Sequence, residues 1–288
     1  MYLIPDFTFD LVSGPTMTFV SGSISASAYL TSNGRLGFGM DSAVPSVDYA
    51  ELSKSTLHVD SKNIDIISSG SSNQDGTGAG GLLFSEHFLS NTVASINNFT
   101  VTNVNGAGSV CTLVTGSAGH PGVIQITAGT TTTGRASINT LVNCIRFGSG
   151  SYNTEADIFV PTLSTPTNRY TLYFGFADNV AAGDMINGAY FQYTNTASQY
   201  WQIKTANNSS RTTLDTSVVA SIGWTKFRVE VRNDTSANFY INDILVGGIP
   251  LNIPSTVGRE VGIIIKIEKA TGATTSYVLV DYVKLAFN

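Results

Sequence analysis

The stretch Gly223 to Gly247, GWTKFRVEVRNDTSANFYINDILVG, most narrowly limits what this chain can fold into. Phe227, Val229 and Val231 alternate with Lys226, Arg228, Glu230 and Arg232, the two-residue period of a strand with one buried and one wet face. After the turn-forming run Asn233, Asp234, Thr235, Ser236 the alternation resumes, with Phe239 and Ile241 on one face and Asn238, Tyr240 and Asn242 on the other. Asn242-Asp243 supplies a second tight turn, and Ile244, Leu245 and Val246 open a third strand before Gly247-Gly248 breaks it. Three strands joined this way make part of one sheet of a β-sandwich, with Phe239 inside and Tyr240 outside.

The rest of the composition agrees with sheet rather than helix. Of 288 residues, 42% are hydrophobic, enough for a sizeable core, and only 12% are charged, roughly half the usual share. Abundant Ser, Thr, Asn and Gly suit exposed strands and loops, and no segment shows a convincing 3.6-residue period, so very little helix is expected. A net charge of -5 with no Lys/Arg cluster leaves nothing to displace counterions from phosphates, which argues against a nucleic-acid partner. The start MYLIPDFTFDL lacks a basic segment followed by an apolar run, and no stretch approaches the ~20 apolar residues of a membrane span, so neither a signal peptide nor membrane insertion is expected. Cys111 and Cys144 sit in the strand-like contexts SVCTLV and VNCIRF and read as buried free thiols, with a disulfide as the alternative.

Two regions are distinguishable. Residues 1–82 carry short apolar pieces (TFDLV, MTFVSG, ASAYLT, RLGFGM, LHVDS) broken every few positions by Gly, Pro, Ser or Asn, too sparse to build a core alone. Such a segment needs a partner, and copies of itself in an oligomer are the favoured one. SSGSSNQDGTGAGG, residues 68–81, is a Gly/Ser-rich linker. Residues 83–288 then give about a dozen short strands separated by turn signals, among them ASINTLVNCIRF, EADIFVPTL, RYTLYFGFA and EVGIIIKIEK, the pattern of an all-β, antiparallel jelly-roll β-sandwich.

Within the first region, Gly34 to Ser61 resembles the G-x-(V/L)-G-(I/F)-G…P…L-x-V stretches of bacteriophage tail fibres and related trimeric stalks, at Gly34, Leu36, Gly37, Phe38, Gly39, Pro45, Leu57 and Val59. The spacing between the glycine cluster and LHV is longer than in the usual pattern. In the second region GAYFQYTNTASQYWQIKT, TTLDTS, GWTKFRVEVRND, FYINDILV and SYVLVDYVKL follow one another as in concanavalin A-like (laminin G-like) jelly rolls of phage virion proteins. That resemblance implies two curved antiparallel sheets, with the strand around Val280, Asp281, Tyr282 and Val283 closing the sandwich near where it began.

Chemistry is harder to place. Glycan hydrolases of this fold need two carboxylates on one strand face; the nearest approach is Glu155 and Asp157, which alternation puts on the same side. Arg228, Glu230 and Arg232 resemble the Arg-x-Glu-x-Arg strand of alginate lyases and Tyr190 to Tyr193 their tyrosine strand, but the order is reversed and Lys204 stands where a histidine would. A solvated strand face is the preferred reading of those charges. His58, His87 and His120 are scattered, none within metal-ligand spacing of a partner, so no metal site is expected. No Gly-x-Ser-x-Gly elbow occurs. Ca²⁺ stays open, Asp178, Asn179 and Asp184 offering oxygens that no spacing singles out. Tyr190, Gln192, Tyr200 and Gln202 share a parity opposite to Phe191, Tyr193, Trp201 and Ile203, and are the expected glycan-binding face.

These features together suggest a virion structural protein without enzymatic activity or cofactor. It is expected to be a tail fibre or tailspike-type homotrimer made in the host cytoplasm, bound to other virion proteins through residues 1–82 and to host-surface glycan through the sandwich. A capsid head fibre or decoration protein shares every feature, and a polysaccharide-degrading lyase or hydrolase is the alternative of another class.

Overall fold

The computed structural model of the chain describes residues 16–21, 24–30, 36–40, 82–89, 99–196 and 198–287. It divides into two units, Met1–Ile66 and Ile67–Asn288. In the first, β1 (Thr16–Ser21), β2 (Ile24–Leu30) and β3 (Leu36–Met40) form an antiparallel sheet in the order β1-β2-β3. These strands cover the pieces MTFVSG, ASAYLT and RLGFGM as far as those are described; TFDLV, LHVDS, the remainder of the stalk-like stretch and the linker at 68–81 lie outside the described residues.

Among the described residues of the second unit every regular element is a β-strand. One antiparallel sheet has seven strands: β5 (Thr100–Asn105), β8 (Arg135–Asn139), β10 (Tyr170–Ala177), β11 (Gly188–Thr194), β12 (Tyr200–Asn207), β13 (Ser210–Val219) and β17 (Gly262–Lys269), in the order β13-β12-β11-β10-β17-β8-β5. The other contains β6 (Ser109–Ser117), β7 (His120–Gly129), β9 (Ser151–Val160), β14 (Gly223–Arg232), β15 (Ser236–Ile241), β16 (Ile244–Ile249) and β18 (Ser276–Phe287), in the order β16-β15-β14-β9-β18-β7-β6. Its eighth strand, β4 (Leu82–Glu86), pairs with the end of β18, so the last strand does close the sandwich beside the first.

Alternation decides which side chains fill the space between the sheets. Phe227, Val229 and Val231 of β14 and Phe239 and Ile241 of β15 are buried there against Phe191, Trp201 and Ile203 of the seven-stranded sheet. The rings interlock: Trp201 meets Phe227 edge-on at 4.5 Å, and Phe191 lies 5.0 Å from Phe227 and 5.3 Å from Phe239. Each such ring withdraws some 150–250 Å² from water, so this aromatic centre contributes strongly to the core. The tight turns match their residues: Asn242 and Asp243 take φ of 50° and 66°, and Asn208 and Ser209 take 52° and 67°, the left-handed pairs that join twisted strands directly.

Two local expectations fail. ASINTLVNCIRF is not one strand: β8 stops at Asn139, and beyond it only Ile145 makes a bridge, to Val261. Cys144 therefore lies exposed in a turn rather than buried, whereas Cys111 in β6 is buried; both are free thiols. Burial pushes the Cys111 thiol up to about 12, which leaves it protonated and inert.

Candidate functional site

The face of the seven-stranded sheet turned away from the core carries one polar side chain from each strand in a continuous row. Successive register partners are Asp215, Gln202, Gln192, Tyr173, Lys266, Ser137 and Thr102. In the adjacent row Thr213, Lys204, Tyr190 and Gly175 are partners in the same way.

The segment 178–187 is tied down onto this face. Lys266, fully buried, donates from Nζ to the carbonyls of Ala181 and Gly183 at 2.8 Å each, and the Gly183 N–H donates to Glu268 at 3.0 Å. Asp184 accepts from the Tyr190 hydroxyl at 2.5 Å and from Lys204 Nζ at 2.9 Å, and Arg211 Nε stands 3.3 Å away. Burial acts to raise the Asp184 carboxyl, but the Tyr190 hydrogen bond and the Lys204 and Arg211 charges outweigh it and hold the group below the usual Asp range. Burial of Lys266, only partly countered by Glu268 and Asp184, brings its ammonium down to about 8. Met185 of this segment packs with Tyr190, Tyr173 and Ile264 in a small apolar cluster.

The four expected glycan-binding residues do share this outer face, but they are not equally available. Tyr190 is 0% exposed, its hydroxyl spent on Asp184, so it is a structural tie rather than a stacking platform. Gln192 is also buried, and its Oε1 has no hydrogen-bond partner. Tyr200 and Gln202 are part-exposed, and Gln202 Nε2 donates to the exposed Asp215 at 3.0 Å. The reason for the difference is tertiary: parity selects the face, and the 178–187 segment then covers one end of it. The oxygens of Asp178, Asn179 and Asp184 accept hydrogen bonds from protein donors, among them Asn187 Nδ2 on Asp178 at 2.7 Å and the Ala181 N–H on Asn179 at 2.8 Å.

The outer face of the other sheet gathers charge. Arg228 stacks over the Tyr240 ring at 3.7 Å, and Glu230 accepts from Arg232 Nε at 2.7 Å and from the Tyr240 hydroxyl at 3.0 Å. Glu230 is 5% exposed, so the expectation of a solvated strand holds for Arg232 but not for Glu230, which Tyr240 and Arg232 cover. Burial tends to raise the Glu230 carboxyl, and those two hydrogen bonds bring it below its usual range. The lyase-like halves are separated: Arg228, Glu230 and Arg232 lie in one sheet and Tyr190 to Tyr193 in the other, so their outward side chains cannot meet in one site.

Glu155 and Asp157 do share a face, as alternation predicts, but each has taken a different partner. Glu155 accepts from the Tyr282 hydroxyl at 2.7 Å. Asp157 stands with His120 and Asp281, at 3.9 Å from His120 Nδ1, while Asp281 Oδ2 lies 3.0 Å from the same nitrogen. Burial raises the Asp157 carboxyl despite the nearby His120. Sequence spacing does not reveal this cluster, since the neighbours of His120 in space are 37 and 161 positions away in a chain of 288. The one available signal was alternation, which puts Asp157 and a bulged Asp281 outward on adjacent strands.

An all-β sandwich of two antiparallel sheets, closed by its last strand beside its first and bearing a polar row across one outer face, is a concanavalin A-like jelly roll. More narrowly, the chain belongs to the family described as SO2946-like, C-terminal domain, whose pattern matches residues 119–281. The solved protein of unknown function SO2946 from Shewanella oneidensis MR-1 is similar over 72% of this chain and 86% of its own, at 13% identity and a TM-score of 0.53. Peanut lectin, solved with a nine-residue peptide, is similar over 73% of this chain and 98% of its own, at 11% identity and a TM-score of 0.50. An endo-β-1,4-glucuronan lyase from Trichoderma reesei resembles it over 70% of this chain and 94% of its own, at 13% identity and a TM-score of 0.48. At such identities the likeness establishes the fold alone. No curated protein matches the chain in sequence.

Proposed function

We propose that the sandwich is a glycan-recognition module. On this reading the chain is a virion adhesin, with residues 1–82 attaching it to other virion proteins and gathering it into a trimer. The observation that carries the glycan reading is the polar row across the outer face of the seven-stranded sheet, which ends in the part-exposed Gln202 and exposed Asp215 and contains a buried amide oxygen, Gln192 Oε1, that no protein donor satisfies. A buried acceptor without a partner is costly, and a sugar hydroxyl or a water would satisfy it. Tyr200, adjacent in the same strand and part-exposed, supplies the amphipathic ring that stacks on a sugar face while its hydroxyl bonds at the rim. Such contacts are individually modest, so single-site affinity is weak and a trimer gains by multivalency. The adhesin and trimer parts of the reading rest on the resemblance of Gly34 to Ser61 to tail-fibre stalks.

The test is binding of the full chain to bacterial surface polysaccharides, with chain length of the polysaccharide followed in parallel. Tyr200→Ala and Gln202→Ala should weaken binding about tenfold or more each while leaving the chain folded, with at most a small drop in unfolding temperature. Binding indifferent to both would remove this face as the receptor site. Shortening of the polysaccharide would replace adhesion by enzymatic cleavage.

A further inference from the structure

On the opposite sheet, we propose that His120, Asp157 and Asp281 bind one first-row divalent cation, of which zinc and manganese are the fitting examples. His120 opens β7 directly after Gly119, which turns the β6–β7 hairpin at a φ of 86°. Asp157 projects outward from β9, and Asp281 sits in β18 where the register to β9 shifts between Val280 and Tyr282. That irregularity lies where the neighbour of β18 on the other side changes from β7 to β4, and a bulge of this kind re-aims a side chain. Three adjacent strands thereby bring one donor atom each to a common point, all within 4.8 Å of one another.

The spacing is that of ligands to a shared ion. Donors about 2.0–2.2 Å from a metal stand roughly 3–4 Å apart, and His120 Nδ1 lies 3.0 Å from Asp281 Oδ2 and 3.9 Å from Asp157 Oδ2. A protonated imidazole between two carboxylates would give similar distances, but it leaves a loose end. Asp281 is 5% exposed, and its second oxygen, Oδ1, is buried with no hydrogen-bond partner. The lysine opposite Asp157 across the β9–β14 ladder, Lys226, is paired instead with Asp243 at 2.5 Å. An ion accepts both oxygens of such a carboxylate, which a single histidine proton does not.

The imidazole is also held in plane for ligation. Trp224 stacks on it with centroids 3.9 Å apart and planes 12° from parallel, fixing the ring while leaving its edge free. Nitrogen in the donor set selects the class of ion. Calcium collects six to eight oxygens, whereas one imidazole with two carboxylates suits zinc or manganese. Three protein ligands, two of them part-exposed, leave coordination positions for water and a path of entry.

The experiment is calorimetric titration of zinc chloride, and separately manganese chloride, into the untagged full chain after dialysis against EDTA. One ion per chain is expected, with a rise in the unfolding temperature and a change in Trp224 emission. His120→Ala and Asp157→Asn should each weaken uptake by at least about 100-fold with the circular dichroism spectrum retained. Asp157 is part-exposed, so its substitution tests the site even if Asp281→Asn does not fold. Trp224→Phe should keep the stoichiometry and lose the fluorescence response. Absence of saturable uptake at millimolar ion, or uptake unaltered by His120→Ala and Asp157→Asn, as it would be if His87 or Cys144 held the ion, overturns the proposal.

Discussion

The Tyr190 hydroxyl donates to Asp184 Oδ1 at 2.5 Å and so anchors the 178–187 segment to the outer face of the seven-stranded sheet. A residue whose parity marks it for solvent is thereby fully buried. Tyr190→Ala should cost ~3–5 kcal/mol of unfolding free energy, through lost burial and the lost hydrogen bond to Asp184, while Tyr200→Ala on the same face should cost ~1 kcal/mol or less. Denaturant unfolding of the two variants checks this. Equal losses would mean that the segment does not cover Tyr190 in solution.

Asp184 should make stability depend on acid. Its folded carboxyl is held below the ordinary range, so the stability it contributes is present above the unfolded value and is lost as pH falls through the folded one. Asp184→Asn is expected to lower stability by ~1–3 kcal/mol at neutral pH, and the gap to the parent chain should close below about pH 4. Urea unfolding of both proteins across that range decides it. A gap independent of pH would show that Asp184 acts through shape alone.

Neighbouring positions in β15 provide a test of the core. Phe239 is fully buried against Phe191, whereas Tyr240 is part-exposed beneath Arg228. Phe239→Ala should therefore cost ~3–5 kcal/mol and Tyr240→Ala markedly less, although the latter also releases Glu230 from a hydrogen bond. Chevron analysis of both would expose a reversed assignment of faces.

The sandwich should stand without the first unit. Every residue of its main core cluster lies between Phe88 and Val283, so a chain beginning at Ile67 keeps all of them. Such a truncation should unfold cooperatively at close to the parent temperature and scatter light as a monomer. If it elutes as the same oligomer as the full chain, residues 1–66 are not what gathers the copies.

Strands with one wet face were legible because alternation is a local property. Phe227, Val229, Val231, Phe239 and Ile241 are buried as their period demands, and Asn242-Asp243 turns where its residues permit positive φ. The face carrying Gln192, Tyr200 and Gln202 was legible for the same reason. What covers a face is not local. Tyr190 is buried because residues 178–187 are pinned back by Lys266 and Glu268, which come from a strand some eighty positions later, and no pattern within β11 carries that information. Cys144 is exposed because β8 stops at Asn139, which apolar content alone does not reveal. His120, Asp157 and Asp281 belong to strands β7, β9 and β18, and only the sheet order β9-β18-β7 and an irregularity in the last strand make them neighbours. Sequence determined which residues turn inward and which outward, since that follows from the geometry of one strand. Tertiary structure alone decided which outward residues meet, because strand order and the path of a covering segment are set by contacts between parts of the chain far apart.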